Sequence, residues 1–156
     1  MTLRRRMAMI CTPLALLACS QAVASTVLDV AKTPWCGCCT EWVARMESAG
    51  FVTKVREVED LTPVARAAGV PDMLRSCHTA TVEGYTIEGH VPAADIRRLL
   101  DERPDAVGLS VPGMPAGSPG MEVPGRADTY QVVLIKRDGR HLVWSTHQGS
   151  AEAHRH

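Results

Sequence analysis

Three cysteines in four positions, Cys36-Gly37-Cys38-Cys39 behind Thr33-Pro34-Trp35, constrain this chain more than any other stretch. A free cysteine can serve as a small buried hydrophobe, but neighbouring side chains point in different directions, so three this close cannot all enter one core. Some sulfur must face outward. Two roles suit such crowding: a thiol–disulfide couple of the Cys-x-x-Cys type formed by Cys36 and Cys39, or thiolate ligation of a soft metal ion. The residues that follow place Trp42, Val43, Met46 and Ala49 on one helical face and close with Gly50, suited to the position just past a helix end. The thiols therefore stand at a helix N-terminus. Unpaired N–H groups and the positive dipole end favour thiolate there, which raises both nucleophilicity and metal affinity.

The elements around that helix can be read in order. Residues 26–31 form a β-branched first strand closed by Thr33-Pro34, and residues 51–58 alternate apolar and polar, which predicts a second strand with one buried face. Thr62-Pro63 reads as an N-cap and N1 pair opening a short helix through Ala68, ended by Gly69 and Pro71, with one further turn over 71–75. Strands over 79–82 and 85–91 flank a tight turn at Glu83-Gly84. After Pro92 comes a helix with Ile96, Leu99 and Leu100 on its inner face and Asp95, Arg97, Arg98 and Asp101 on its outer one, stopped by Pro104. The order βαβαββα predicts an α/β, thioredoxin-like fold, which is a scaffold and not yet a function.

Residues 105–128 differ from the rest, interleaving prolines and glycines around Met114 and Met121. A connection this long is either disordered or functional. Strands over 129–136 and 141–147 then surround Asp138-Gly139, the strongest hairpin signal in the chain, predicting an added C-terminal β-hairpin that extends or covers the sheet. A polar, flexible tail is expected over 149–156, and no repeat or second domain is visible.

Residues 1–24 read as a secretory signal peptide. Arg4-Arg5-Arg6 precede an apolar run over 7–18, and Ala22-Val23-Ala24 before Ser25 is a small-x-small cleavage site. The run is too short, and too interrupted by Pro13, to span a bilayer. Leu16-Leu17-Ala18-Cys19 offers a lipoprotein alternative through Cys19, set behind cleavage after Ala24. Cleavage there takes three arginines from 17 basic residues, leaving 14 against 17 acidic ones and a net charge of about −3. Such a chain has no electrostatic footprint for nucleic acid. Residues 25–148 then form one domain carrying Cys36, Cys38, Cys39 and Cys77. A domain of that size needs no disulfide to fold, so these thiols are chemical rather than structural.

Cys77-His78 stands directly before the third strand. In a thioredoxin-like chain that loop faces the Cys-x-x-Cys helix, where thioredoxins carry a cis-proline, so Cys77 is expected to face the first three thiols. Four converging sulfurs suit Cu(I), which prefers soft thiolates at low coordination number and is bridged by them into clusters. Zinc, as a structural ion of an interaction module, is the rival metal, but its usual sites draw on separated ligand pairs. Each residue has a plainer reading: a redox disulfide for Cys36 and Cys39, an inert neighbour for Cys38, a buried small residue for Cys77. Met114 and Met121 are soft thioether donors or gap-fillers under a long loop. His78 and His90 can add nitrogen donors, with His78 favoured by adjacency, whereas His154 and His156 fall in the tail. Trp35, Trp42 and Trp144 read as core or as an apolar wall around the sulfurs.

With these residues in view the sequence resembles the CopG-like copper-resistance proteins, a periplasmic thioredoxin-like family. The resemblance rests on Trp35-Cys36-Gly37-Cys38-Cys39, Cys77-His78, Glu83-Gly84-Tyr85, Glu88-Gly89-His90-Val91-Pro92, and the loop from Val111-Pro112-Gly113-Met114 to Gly120-Met121-Glu122. It implies a periplasmic copper-binding protein of copper resistance. In such a protein Cys36, Cys38, Cys39 and Cys77 hold a thiolate-bridged Cu(I) cluster of more than one ion, with a redox role and other periplasmic copper-handling proteins as partners. The alternative is a thiol–disulfide oxidoreductase using Cys36 as nucleophile and Cys39 as resolving thiol.

Overall fold

A computed structural model describes residues 25–151. The expected signal peptide, Cys11, Cys19 and the last five residues lie outside the described residues. Seven strands form one mixed sheet in the order β2-β1-β3-β4-β5-β6-β7. The first half is the thioredoxin-like unit: β1 (Val27–Lys32), α1 (Gly37–Ser48), β2 (Val52–Glu57), α2 (Thr62–Ala67), a 3-10 turn (Asp72–Leu74), β3 (His78–Val82), β4 (Tyr85–Glu88) and α3 (Ala93–Glu102). β1 runs parallel to β2 and antiparallel to β3, with Lys32 opposite His78, and β3 and β4 form a hairpin about Glu83-Gly84. The chain then adds β5 (Gly108–Ser110), β6 (Thr129–Ile135) and β7 (His141–Gln148).

The period-two alternation of the strands sends their apolar residues to both faces of the sheet. On one face Leu28, Val30, Ala80, Ile87 and Leu109 meet Trp42 and Met46 of α1 and Ile96 and Leu99 of α3, all of them closed to solvent. Beneath the other face Ala65 of α2 packs with Val70, Leu74 and Ile135. Trp42 also donates its indole N–H to the Val91 carbonyl at 2.9 Å, tying the cysteine helix to the segment after β4. A buried tryptophan with a satisfied N–H contributes about 3–5 kcal/mol against truncation.

Four expectations are corrected. β2 is an edge strand and is almost wholly exposed, with Val52 and Val55 in solvent; only Phe51, just ahead of it, enters the core. Thr62 is the first helical residue and not the cap. The Asp60 carboxylate instead accepts the Thr62 N–H at 2.8 Å. Asp95 is buried, because β7 reaches the flank of α3 and sets Ser145 and His147 against its carboxylate at 2.7 Å each. Trp35 is not core, at 68% exposure.

The Pro/Gly/Met-rich segment is packed. β5 interrupts it, parallel to β4 and antiparallel to β6, which is how the C-terminal hairpin comes to extend the sheet. Ala116 and Ser118 are buried, the Asp128 N–H donates to the Ala116 carbonyl, and the Gly149 and Ser150 N–H groups donate back to Asp128 and Gly117. No helix among the described residues is long and apolar enough to cross a membrane.

Candidate metal centre

The site is assembled from three segments, beginning with the start of α1. Cys36 is the N-cap residue, and Cys38 and Cys39 lie in the first turn, so their sulfurs share the end where helical N–H groups lack intrahelical partners. Cys39 is buried, while Cys36 and Cys38 are half-exposed. Cys36 and Cys39 form a disulfide and Cys38 and Cys77 are free thiols; the Cys38 sulfur lies 3.5 Å from that of Cys36.

The second segment is the loop into β3. Its shape is set by Glu88 of β4, a buried carboxylate that accepts the Ser76 N–H at 2.7 Å and the Thr79 hydroxyl at 2.7 Å, bracketing Cys77 and His78. Burial pushes the Glu88 carboxyl above its ordinary range against these two hydrogen bonds. Gly89 allows the loop to pass: at φ +70° it has no side chain where a Cβ would meet the Ser76 hydroxyl oxygen at 2.4 Å. Cys77 is thereby carried to the helix end, with the Cys39 sulfur 3.3 Å from its carbonyl oxygen. The sulfurs of Cys36, Cys38, Cys39 and Cys77 all lie within 4.8 Å of one another. Burial, and then the neighbouring Cys38, push the Cys77 thiol up to about 12.

His90 and His78 complete this side. The Nε2 of His90 lies 3.0 Å from the Cys77 sulfur, and its Nδ1 lies 2.8 Å from the Pro119 carbonyl. A carbonyl only accepts, so the Nδ1 carries the proton and the Nε2 presents a bare lone pair to Cys77. His78 Nδ1 is 3.5 Å from the same sulfur, while its buried Nε2 has no hydrogen-bond partner among the described residues. For His78 Nδ1 to offer a lone pair, an N–H would have to sit on that unpartnered Nε2, at a cost of about 1–3 kcal/mol. Burial holds both rings below the ordinary histidine range and hence neutral. His90, ranked second by sequence adjacency, has the better donor geometry. The signal that identifies it is tertiary, the Pro119 carbonyl 29 residues away in the chain.

The long loop is the third segment. Gly120 abuts α1 so closely that a Cβ there would lie 2.7 Å from the Trp42 nitrogen and 2.9 Å from the Cys38 carbonyl oxygen. Glu122 fixes the approach, accepting from the Gly120 N–H at 2.9 Å and pairing with Arg45 of α1 at 2.9 Å. Half-buried Met121 lies between these two anchors. Met114 is instead exposed on the Ser76 side, where Gly113 bonds to Arg75 and Ser76. The structure thus gathers the four cysteines with His78 and His90, and brings the backbone that bears Met121 against the cysteine helix. Such a sulfur-rich cluster has the donors to bind a soft metal ion.

A family described as a protein of unknown function, DUF411, matches residues 74–121, from the turn before Cys77 through Met121. Two solved structures named copper resistance protein CopG resemble the chain. Form 2 has a TM-score of 0.76 and covers 80% of this chain and 99% of its own. Form 1 has a TM-score of 0.75 and covers 80% and 98%. Both are 44% identical to this chain in sequence. No curated protein matches.

Proposed function

The chain belongs to the family of the copper resistance protein CopG, and on that premise we propose that it is a periplasmic Cu(I)-binding protein of copper resistance. In its reduced state Cys36, Cys38, Cys39 and Cys77 hold more than one Cu(I). One observation carries this reading: four sulfurs from two separate segments lie within 4.8 Å of one another. A single tetrahedral ion would need three ligands from Cys36, Cys38 and Cys39, whereas thiolates bridging several small soft ions can use adjacent positions without strain. His90 adds a neutral nitrogen through Nε2. Met121 and His78 stand as weaker donors.

The residues have separable tasks. The helix end favours thiolate at Cys36, Cys38 and Cys39. Glu88 and Gly89 hold Cys77 over them, and Pro119 fixes the His90 tautomer. Reduction of the Cys36–Cys39 disulfide supplies two of the four donors, so the thiol redox state sets how many sulfurs are open to copper. That coupling is the redox role we assign. A signal peptide over residues 1–24, expected from the sequence, would deliver the domain over 25–148 to the periplasm, among other copper-handling proteins.

Anaerobic titration of the reduced protein with Cu(I) tests the reading. More than one tightly held equivalent is expected, with loss of metal on Cys77→Ser. A single equivalent indifferent to that change refutes the cluster.

The Cys36–Cys39 disulfide favours a second reading, a thiol–disulfide oxidoreductase. Half-exposed Cys36 would attack a partner disulfide and buried Cys39 would resolve the mixed disulfide. That reading requires turnover in metal-free buffer with a dithiol reductant, and an inactive apoprotein removes it.

A further inference from the structure

Two exposed methionines, Met73 and Met114, lie on segments that lead into or are bonded to the loop bearing Cys77. In the 3-10 turn Leu74 points into the small core with Ala65, Val70 and Ile135, which turns Met73 outward to 72% exposure. Met114, at 56% exposure, follows Gly113, whose N–H donates to the Arg75 carbonyl at 3.1 Å and whose carbonyl accepts the Ser76 hydroxyl. One thioether therefore stands four residues before Cys77, at most about 14 Å of chain away. The backbone just before the other is bonded to Ser76, the residue next to Cys77.

We propose that Met73 and Met114 are a landing pair for incoming Cu(I), capturing the ion at the surface and passing it inward to Cys77 and the helix thiols. This rests on the Cu(I)-binding reading of the site. A thiol must shed a proton before it binds metal, whereas a thioether is neutral, soft and carries no proton to displace. It therefore binds at once, but weakly, as a transfer station must. In the handover one copper–thioether bond breaks as one copper–thiolate bond forms. The thiol proton goes to water and copper stays monovalent, so no electron moves and no oxidant is needed. The alternative use of these two exposed side chains is as apolar contacts for docking another protein. Leucine preserves such contacts and removes only the sulfur.

The test is anaerobic stopped-flow transfer of Cu(I) from its coloured bicinchoninate complex to the reduced protein, comparing wild type with Met73→Leu, Met114→Leu and the double variant. Loading of the double variant should slow about tenfold, within the range over which association rates vary among variants of one site, while final stoichiometry and affinity are unchanged. Unaltered rates in the double variant overturn the proposal. So does a parallel loss of affinity or stoichiometry, which would make the methionines resident ligands. If wild type takes up no Cu(I), the reading of the whole site fails along with this one; wild-type uptake with unaltered variant rates removes the landing pair alone.

Discussion

Cys77 and His90 meet at 3.0 Å at the open end of the β3–β4 hairpin, away from its turn, sulfur against the unprotonated ring nitrogen. The contact joins a thiol on one side of the hairpin to a ring whose other nitrogen is held by the long loop. Substituting His90→Gln should remove a nitrogen donor and cost about 10–100-fold in Cu(I) affinity, the scale seen when a metal site loses an orienting group. His78→Gln should cost less. X-ray absorption on the copper-loaded proteins checks this, because the nitrogen scatterer should fall sharply in the His90 variant and persist nearly unchanged in the other.

Copper affinity should rise with pH. The Cys77 thiol, pushed up to about 12, is protonated at neutrality, so Cu(I) must displace that proton. Each proton displaced steepens the dependence by up to about tenfold per pH unit. For Cys77 the slope continues well past 9.0, the ordinary thiol value at which an unburied cysteine would level off. Cys77→Ser should reduce the proton release by one. Chelator competition across a pH series measures both.

Glu88 makes the metal-free fold sensitive to pH in the opposite sense. Its carboxyl is raised by burial, so the folded state holds a proton that the unfolded chain releases near 4.5. The stability it contributes is complete below that value and is lost as pH climbs through the raised folded value. Glu88→Gln keeps an acceptor for the Ser76 N–H and should flatten this part of the stability curve. Urea unfolding at several pH values decides; identical curves would show that Glu88 does not titrate in this range.

Gly120→Ala should destabilise the protein by at least about 1–3 kcal/mol, the cost of a strained backbone position. Its φ is +84°, and the new methyl would press on two backbone atoms of α1 that cannot swing away. A lowered urea midpoint with an unchanged m-value is the expected result.

Much of the site was legible in the sequence because it depends on local spacing and element order. Three thiols opening a helix, and a fourth before the third strand, place four sulfurs together once the strands pair as β2-β1-β3-β4. What was not legible depends on distant partners. The alternation of residues 51–58 promised a buried face, but no pattern within a strand says that it lies at the edge. β5 is only three residues long and owes its existence to β4 and β6 on either side. Asp95 reads as a surface acid until Ser145 and His147 arrive from the last strand. His90 gains its donor geometry from the carbonyl of a proline in a loop whose path composition does not reveal.

β5 and β6 are adjacent partners in one sheet, so the chain leaves the ladder after Ser110 and rejoins it next door at Thr129. Between those points the stretch through Gly120 and Glu122 is held on α1, whereas lengthening the segment at its exposed part adds little closure entropy. Descendants of this gene can rewrite exposed positions of the passage such as Met114, reseeding them with other donors, while the stretch held on α1 and the strand registry are inherited intact. Metal preference then becomes a trait on which selection can act separately from foldability.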